Sequence, residues 1–275
     1  MVRESLARKF KPAGFEQPEH SRKNYVEPRR ELQEAFYQWL RDSISLREDE
    51  IEYDKACKLI KPIGKIPYRE ANSLLFDFDP KTAREMDVGF FISACYNQSP
   101  EHVIIFDLDA PEIDDIGYML GENKVLVNSG KLRFLTGYRS SGTVVNNGEF
   151  DRESCVESSG VVINNGWSDV LFGAGSSGIV LNAGEIQIGF GGSSSGIVIG
   201  LKKSYDYGTP RRNGRILKPA DCDRIPELKN YLEELSEISR NIKDDDSARR
   251  FIETYGIGGE KIKPEIEELI ERGGF

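Results

Sequence analysis

The fold is decided between residues 140 and 201, where the sequence repeats itself with an 18-residue period. The repeated segments are SSGTVVNN (140–147), SSGVVINN (158–165), SSGIVLNA (176–183) and SSGIVIGL (194–201). One period earlier, residues 125–128 (VLVN) fit the template without the Ser-Ser-Gly, and residues 104–106 (IIF) are a candidate for a still earlier start. Self-similarity at a fixed period is the signature of a repeat architecture.

An 18-residue period divides into three equal faces, the perimeter of a triangular prism. Each β-branched triplet would stack on its equivalent in the next coil at about 4.8 Å, with its apolar side chains filling the interior. Asn128, Asn146, Asn164 and Asn182 recur at one phase, so we expect their side-chain amides to form a ladder. The sequence therefore predicts a β-solenoid over residues 104–208 and not a flexible Gly/Ser linker, which lacks such triplets.

The N-terminal flank has a different pattern. Residues 1–27 are basic and contain proline and glycine, which predicts an extended tail. Residues 28–103 are expected to form a small α/β unit that covers the first coil. Within it we predict helices just after its start and at 54–60, and strand-like apolar runs at 74–78 and 88–96.

The C-terminal flank, residues 209–275, is predicted to be a loop followed by helices. Glycines and prolines make 206–221 loop-like, and apolar residues at helical spacing follow Pro226. Shorter helices are predicted at 247–255 and 264–272. The predicted fold class is therefore mainly β: a β-solenoid of 18-residue triangular coils between an N-terminal α/β unit and C-terminal α-helices.

Composition and cysteine usage exclude several classes of protein. The chain has 275 residues, 30% of them charged, and a formal net charge of −9, which fits a soluble globular protein. Its four cysteines include no C-x-x-C pair and it has two histidines, so we predict neither a zinc site nor a disulfide framework, and no cofactor. No signal segment or membrane-length apolar run is apparent, which predicts a cytoplasmic protein.

Basic residues are concentrated at two places despite the acidic total. Between Lys202 and Lys218 there are six basic residues and one acidic residue, interleaved with tyrosines, a mixture suited to phosphate contacts and base stacking on RNA. Residues 1–30, which include the N-terminal tail, contain eight basic residues and four glutamates. A surface loop and a solubilising tail are the competing interpretations. The candidate nucleic-acid-binding residues are Lys202, Lys203, Tyr205, Tyr207, Arg211, Arg212, Arg215, Arg8, Lys9, Lys11, Arg22 and Lys23.

An acidic run precedes the clear repeats and consists of Asp107, Asp109, Glu112, Asp114 and Asp115. Oxygen ligands of this kind can bind a divalent cation, but the run lacks the spacing of an EF-hand loop. A solvated acidic face is the favoured interpretation, and no metal site is predicted. The neighbouring His102 is expected to form a local hydrogen bond.

No catalytic cluster is recognisable, and no P-loop or dinucleotide-binding glycine motif followed by a helix is present. Three hexads per coil resemble the hexapeptide acyltransferases, whose general base is a coil-borne histidine, but residues 122–199 contain no histidine. The glycine-rich coils also resemble the β-helix domains of glutamate synthase and formylmethanofuran dehydrogenase, which are structural modules of large enzymes. Their glycine cadence is not reproduced cleanly, and we expect the chain not to be an enzyme.

As a whole, the chain resembles the archaeal ribosome dimerisation factors. The features are the coils with Ser-Ser-Gly at 140, 158, 176 and 194, the basic tail, the basic patch after the last coil and the C-terminal helices. The resemblance implies a non-enzymatic homodimer that contacts rRNA and ribosomal proteins, bridges two small (30S) ribosomal subunits and blocks their joining to the large subunit, as in ribosome hibernation. It implies neither a membrane nor a small-molecule substrate. A structural or assembly module of a larger enzyme complex is the alternative.

Overall fold

The described part of the chain is a parallel β-solenoid of about six coils with helices on both flanks, as predicted. The computed structural model describes residues 25–42, 49–76, 88–110, 113–132, 136–202, 207–210 and 214–274. The strands are β1 (Val103–Phe106), β2 (Asp109–Ala110), β3 (Val125–Asn128), β4 (Lys131–Leu132), β5 (Thr143–Asn146), β6 (Glu149–Phe150), β7 (Val161–Asn164), β8 (Trp167–Phe172), β9 (Ile179–Asn182), β10 (Glu185–Phe190), β11 (Ile197–Gly200) and β12 (Arg215–Leu217).

The strands form two parallel sheets that run along the solenoid. The first has seven strands in the order β1-β3-β5-β7-β9-β11-β12, and the second has five in the order β2-β4-β6-β8-β10. Val144 aligns with Val162, and Val162 with Val180, so these coils have the offset that the repeat predicts. The first coil is longer than this period, because Val103 of β1 aligns with Val125 of β3.

Apolar columns fill the interior. Val144, Val162 and Val180 are fully buried, and each lies directly over its equivalent in the next coil. Phe172 stacks between two further phenylalanines, with ring centroids 6.3 Å from Phe150 and 6.5 Å from Phe190. Full burial of each such side chain contributes about 1.5–3 kcal/mol, so these columns are the main stabilising element of the coils.

The predicted asparagine ladder is present in the interior. The Nδ2 atom of Asn128 donates to Oδ1 of Asn146 at 2.9 Å, Asn146 donates to Asn164 at 2.8 Å, and Asn164 donates to Asn182 at 2.9 Å. All four side chains are fully buried. Because the first three amides each donate to the next one, they are buried without the usual penalty for an unpaired polar group.

The N-terminal flank is helical where the structure describes it. Its helices are α1 (Arg30–Asp42), α2 (Asp49–Ile60), α3 (Tyr68–Ser73) and α4 (Val88–Gln98). The strand prediction at 88–96 is therefore wrong. Every residue of that stretch is buried, and a continuous apolar run does not distinguish a buried helix from a buried strand. Of the second predicted strand, 74–76 forms a turn and 77–78 lies outside the described residues.

Helix α4 packs closely against the first coil. A Cβ atom on Gly89 would lie 1.8 Å from the carbonyl oxygen of Asp114, so only glycine permits this approach. One turn later, the Ser93 hydroxyl accepts the backbone N–H of Gly117 at 2.8 Å and donates to the Asp115 carbonyl at 2.9 Å. The helix thus supplies partners for backbone groups of the longer first coil.

Part of the loop predicted at 206–221 has regular secondary structure, namely residues 215–217 and 219–222. Strand β12 adds to the first sheet beside β11, and a short helix, α5 (Pro219–Cys222), follows. The three predicted C-terminal helices are confirmed as α6 (Pro226–Arg240), α7 (Asp245–Tyr255) and α8 (Ile262–Arg272). Among the helices that the structure describes, none combines the length and the apolar character needed to cross a bilayer.

The C-terminal helices return along the solenoid and bind its flank. Asn165 Nδ2 donates to Ser239 Oγ at 2.9 Å, and Ser236 Oγ donates back to Asn165 Oδ1 at 2.7 Å. Further along, Thr143 Oγ1 donates to the Gly258 carbonyl at 2.6 Å. The buried apolar residues of α6 are Leu228, Leu232 and Leu235. The apolar stripe of α6 is therefore covered within its own chain.

Candidate nucleic-acid interface

Three of the candidate nucleic-acid-binding residues lie in the described part of the chain: Lys202, Tyr207 and Arg215. The other nine lie outside it, and these are Lys203, Tyr205, Arg211, Arg212, Arg8, Lys9, Lys11, Arg22 and Lys23. The described part of the candidate interface therefore lies on the last coil, beside strands β11 and β12.

The described cations of the last coil are spread along it. Lys202 lies just beyond the end of β11, whereas Arg215 aligns with Ile197 at the start of that strand. Lys218 follows β12 and so lies at the same end of the strand pair as Lys202. All three side chains are exposed. We call Lys202, Arg215 and Lys218 the basic end of the solenoid, and Lys218 is the member that sequence reasoning left out.

Tyr207 packs in the fold and does not present a free ring. Its ring centroid is 5.6 Å from that of Phe190, and its backbone forms a parallel bridge to the same residue. The Lys218 ammonium packs on the Tyr207 ring and lies 5.6 Å from its centroid. Burial raises the pKa of the Tyr207 phenol. The partly buried Tyr207 ring extends the column of phenylalanines, and its base-stacking role stays a prediction.

The hydroxyl of Tyr207 ends the asparagine ladder. The residue at the next ladder position is Gly200, which aligns with Asn182. Both Asn182 Nδ2 and Tyr207 Oη are buried and have no hydrogen-bond partner among the described residues. The repeat period shows that the ladder position after Asn182 is Gly200, but it does not indicate which side chain fills the space beside that glycine.

The acidic run does not form one solvated face. Asp114 and Asp115 are only 7% and 6% exposed, and they lie under α4. Asp107 and Asp109 are partly exposed, and Glu112 lies outside the described residues. In the described ranges, no group of three acidic, histidine or cysteine side chains is placed to hold a metal ion. The local hydrogen bond expected of His102 is present, with Nδ1 3.1 Å from the Asn123 carbonyl.

Groups with potential nucleophilic chemistry are committed to packing. Residues 192–196 (GSSSG) have the letters of a hydrolase nucleophile motif, but Ser194 is fully buried and its Oγ donates to the Gly173 carbonyl at 3.1 Å. Burial raises the pKa of the Cys95 and Cys155 thiols, which keeps them protonated and unreactive. Lys124 is 3% exposed, and its ammonium donates to two carbonyls, those of Ser99 and Glu101.

No family model, curated protein or solved structure matches the chain significantly.

Proposed function

We propose that this protein is a non-enzymatic scaffold that binds an RNA-containing particle through the basic end of its solenoid. The favoured partner is the small ribosomal subunit, with contacts to rRNA and ribosomal proteins. The observation that carries the proposal is the exposure of Lys202, Arg215 and Lys218 on the last coil of a chain whose net charge is −9. A local concentration of cations on an acidic protein favours a polyanionic partner.

The strand pair gives these cations fixed spacing. Arg215 belongs to β12, and Lys202 and Lys218 flank the ends of β11 and β12, which are paired in register. Because the backbone is already ordered, little conformational entropy is lost when phosphates bind. Contacts of this kind position an RNA backbone and give a strong salt dependence, without selecting a base sequence.

The complete proposal is a cytoplasmic homodimer that pairs two small subunits and blocks their joining to the large subunit. Two copies are the smallest assembly that presents two basic ends. The apolar stripe of α6 is buried within the chain and is not available for this self-association. Exposed large apolar side chains that a second copy could cover are Tyr25, Val26, Tyr37, Ile51, Met119, Ile188 and Ile257.

The decisive experiment is co-sedimentation of the full chain with purified small ribosomal subunits at several salt concentrations. The variant Lys202→Glu, Arg215→Glu, Lys218→Glu should lose binding, and its log Kd should depend less steeply on log salt, by roughly 0.7–0.9 for each phosphate that the variant no longer neutralises. The matched control reverses three exposed lysines of the N-terminal flank, Lys58, Lys61 and Lys65. Equal binding by both triple variants and the unmodified chain would contradict the proposal.

A structural module of a larger enzyme complex is the second candidate, and the solenoid fold is compatible with it. The same gradients separate the two functions. A structural module would be absent from the ribosomal fractions and would co-migrate with an enzyme. The triple variants would not change the activity of that enzyme. Migration with 30S-sized particles, lost in the basic-end variant, would favour the scaffold.

A further inference from the structure

The three C-terminal helices border a small, solvent-open cleft that has no part in the proposed function, and its charged lining residues are exposed. Its volume is about 150 Å³, and it is lined by Tyr231 and Glu234 of α6, Thr254 and Tyr255 of α7, and Lys261 and Glu265 at the start of α8. Pockets for drug-sized ligands are roughly 300–1,000 Å³. This cleft is therefore too small for a nucleotide but large enough for a terminal group of a few heavy atoms.

Two tyrosines form the aromatic wall of the cleft. The rings of Tyr231 and Tyr255 are nearly perpendicular, at 89°, with centroids 6.0 Å apart. Tyr255 is 2% exposed, and its hydroxyl has no hydrogen-bond partner within the part of the chain that the structure describes. A buried hydroxyl without a partner is uncommon in a native protein, so this oxygen is available to accept a hydrogen bond from a group in the cleft.

Two carboxylates give the cleft its charge. Glu234 and Glu265 form no ion pair with any described residue, including Lys261 in the same lining. Burial is the main cause that raises the pKa of the Tyr231 phenol, and the charges of the two carboxylates raise this pKa further. The two carboxylates therefore lie near the phenol oxygen. With two glutamates and one lysine, the lining carries a net charge of −1.

We propose that this cleft binds a primary alkylammonium group. An ammonium has three donors, which match the two carboxylates and the unpartnered Tyr255 oxygen, and its alkyl stem would pack on the tyrosine rings. An anion is disfavoured by the two glutamates. A metal ion lacks a cluster of three suitable ligands among the described residues. The ammonium can come from a free polyamine or from a lysine side chain of a bound protein.

The test is calorimetric titration of the full chain with putrescine and, separately, with a lysine analogue blocked at its α-amino and carboxyl groups. The same analogue acetylated at Nζ is the neutral control ligand. Saturable binding of at least one ammonium ligand, with no binding of the acetylated one, is expected. Binding of putrescine alone identifies the source as a free polyamine, and binding of the lysine analogue alone identifies it as a protein side chain. Absence of saturable heat from both ammonium ligands at millimolar concentration would overturn the proposal.

Variants locate the site. Glu234→Gln with Glu265→Gln should raise the Kd by roughly tenfold or more, since hydrogen bonds to charged groups are lost. The matched control, Glu237→Gln with Glu271→Gln, changes the same charge on the same two helices at exposed positions outside the cleft and should bind normally. Tyr255→Phe keeps the ring, removes the oxygen and should also weaken binding. This variant tests the site if the double variant does not fold. Equal affinity in the control and in all cleft variants would place the ligand elsewhere.

Discussion

A Cβ atom added to Gly200 would lie 2.1 Å from the hydroxyl oxygen of Tyr207, so the tyrosine occupies the space in which the next ladder asparagine would stand. The ladder donates in one direction, from Asn128 towards Asn182, and Asn182 has no asparagine to donate to. A side chain from outside the repeat therefore takes the final position. Tyr207 therefore caps the interior of the solenoid at its last coil.

Gly200→Ala should destabilise the protein by about 1–3 kcal/mol, because the new methyl group and the Tyr207 hydroxyl cannot share one space. Urea unfolding measures the change. Gly192→Ala is the matched control, since the nearest heavy atom to its added Cβ is 3.8 Å away, and it should be close to neutral. If both substitutions leave the unfolding midpoint unchanged, Tyr207 does not occupy this position in solution.

Asn164→Ala should cost more stability than Asn182→Ala. Asn164 accepts from Asn146 and donates to Asn182 and to the Glu185 carbonyl, so its loss removes three hydrogen bonds, whereas Asn182 only accepts, from Asn164 and from the Gly184 N–H. A typical intramolecular hydrogen bond contributes about 0.5–1.5 kcal/mol to stability. The free energies of unfolding of the two variants, measured in parallel, decide the order, and a larger loss for Asn182→Ala would refute the ladder as a source of stability.

Asn165→Ala should loosen helix α6 from the solenoid. This side chain bonds to both Ser236 and Ser239 of the helix. We expect faster amide hydrogen exchange in α6 while the strands of the coils keep their protection. Asn241→Ala is a suitable control, because that side chain bonds only within its own helix, to the Glu237 carbonyl. Unchanged exchange in α6 would show that the Asn165 bonds are not needed to hold it, and that apolar contacts and the Asn147 bond to the Ser239 carbonyl are sufficient.

Tyr118 should make the protein sensitive to alkali. Burial raises the pKa of Tyr118 to about 12 in the folded protein, while an unfolded tyrosine ionises near pH 10. Because the folded pKa is the higher one, the neutral Tyr118 phenol contributes fully to the free energy of unfolding below about pH 10. This contribution is lost as the pH rises from 10 to 12. Across this interval, the free energy of unfolding of the unmodified chain should fall by up to about 2–3 kcal/mol relative to that of Tyr118→Phe. Urea midpoints of both proteins at pH 8, 10 and 11 test it, and a constant difference would contradict it.

The sequence predicts the solenoid well because near-identical segments at a fixed phase leave one simple way to stack the triplets. The same periodicity locates the interior asparagines. It could not assign 88–96 as a helix, since a stretch buried on every side lacks a polar face that reports its period. Strand β12 was not predicted, because the Ser-Ser-Gly signal is missing before Arg215.

The candidate site was harder to predict than the fold. A cluster of basic and aromatic letters indicates charge, but it does not reveal that Tyr207 turns inward to Phe190. Lys218 was counted in the basic stretch but not among the candidate residues, and only the β11–β12 register shows that it lies at the same end of the strand pair as Lys202. The direction of the Tyr207 side chain depends on contacts that no local sequence pattern encodes.

The returning C-terminal helices change how the stack can come apart. An ordinary repeat array is one-dimensional and can fray coil by coil from an open end. Here the chain leaves the last coil at β12 and makes contact with Thr143 through Gly258, several coils back. Peeling the terminal coil therefore also requires the helices to detach, so heat should melt the array in one step, and a chain shortened before Pro226 should melt gradually from its unfastened end.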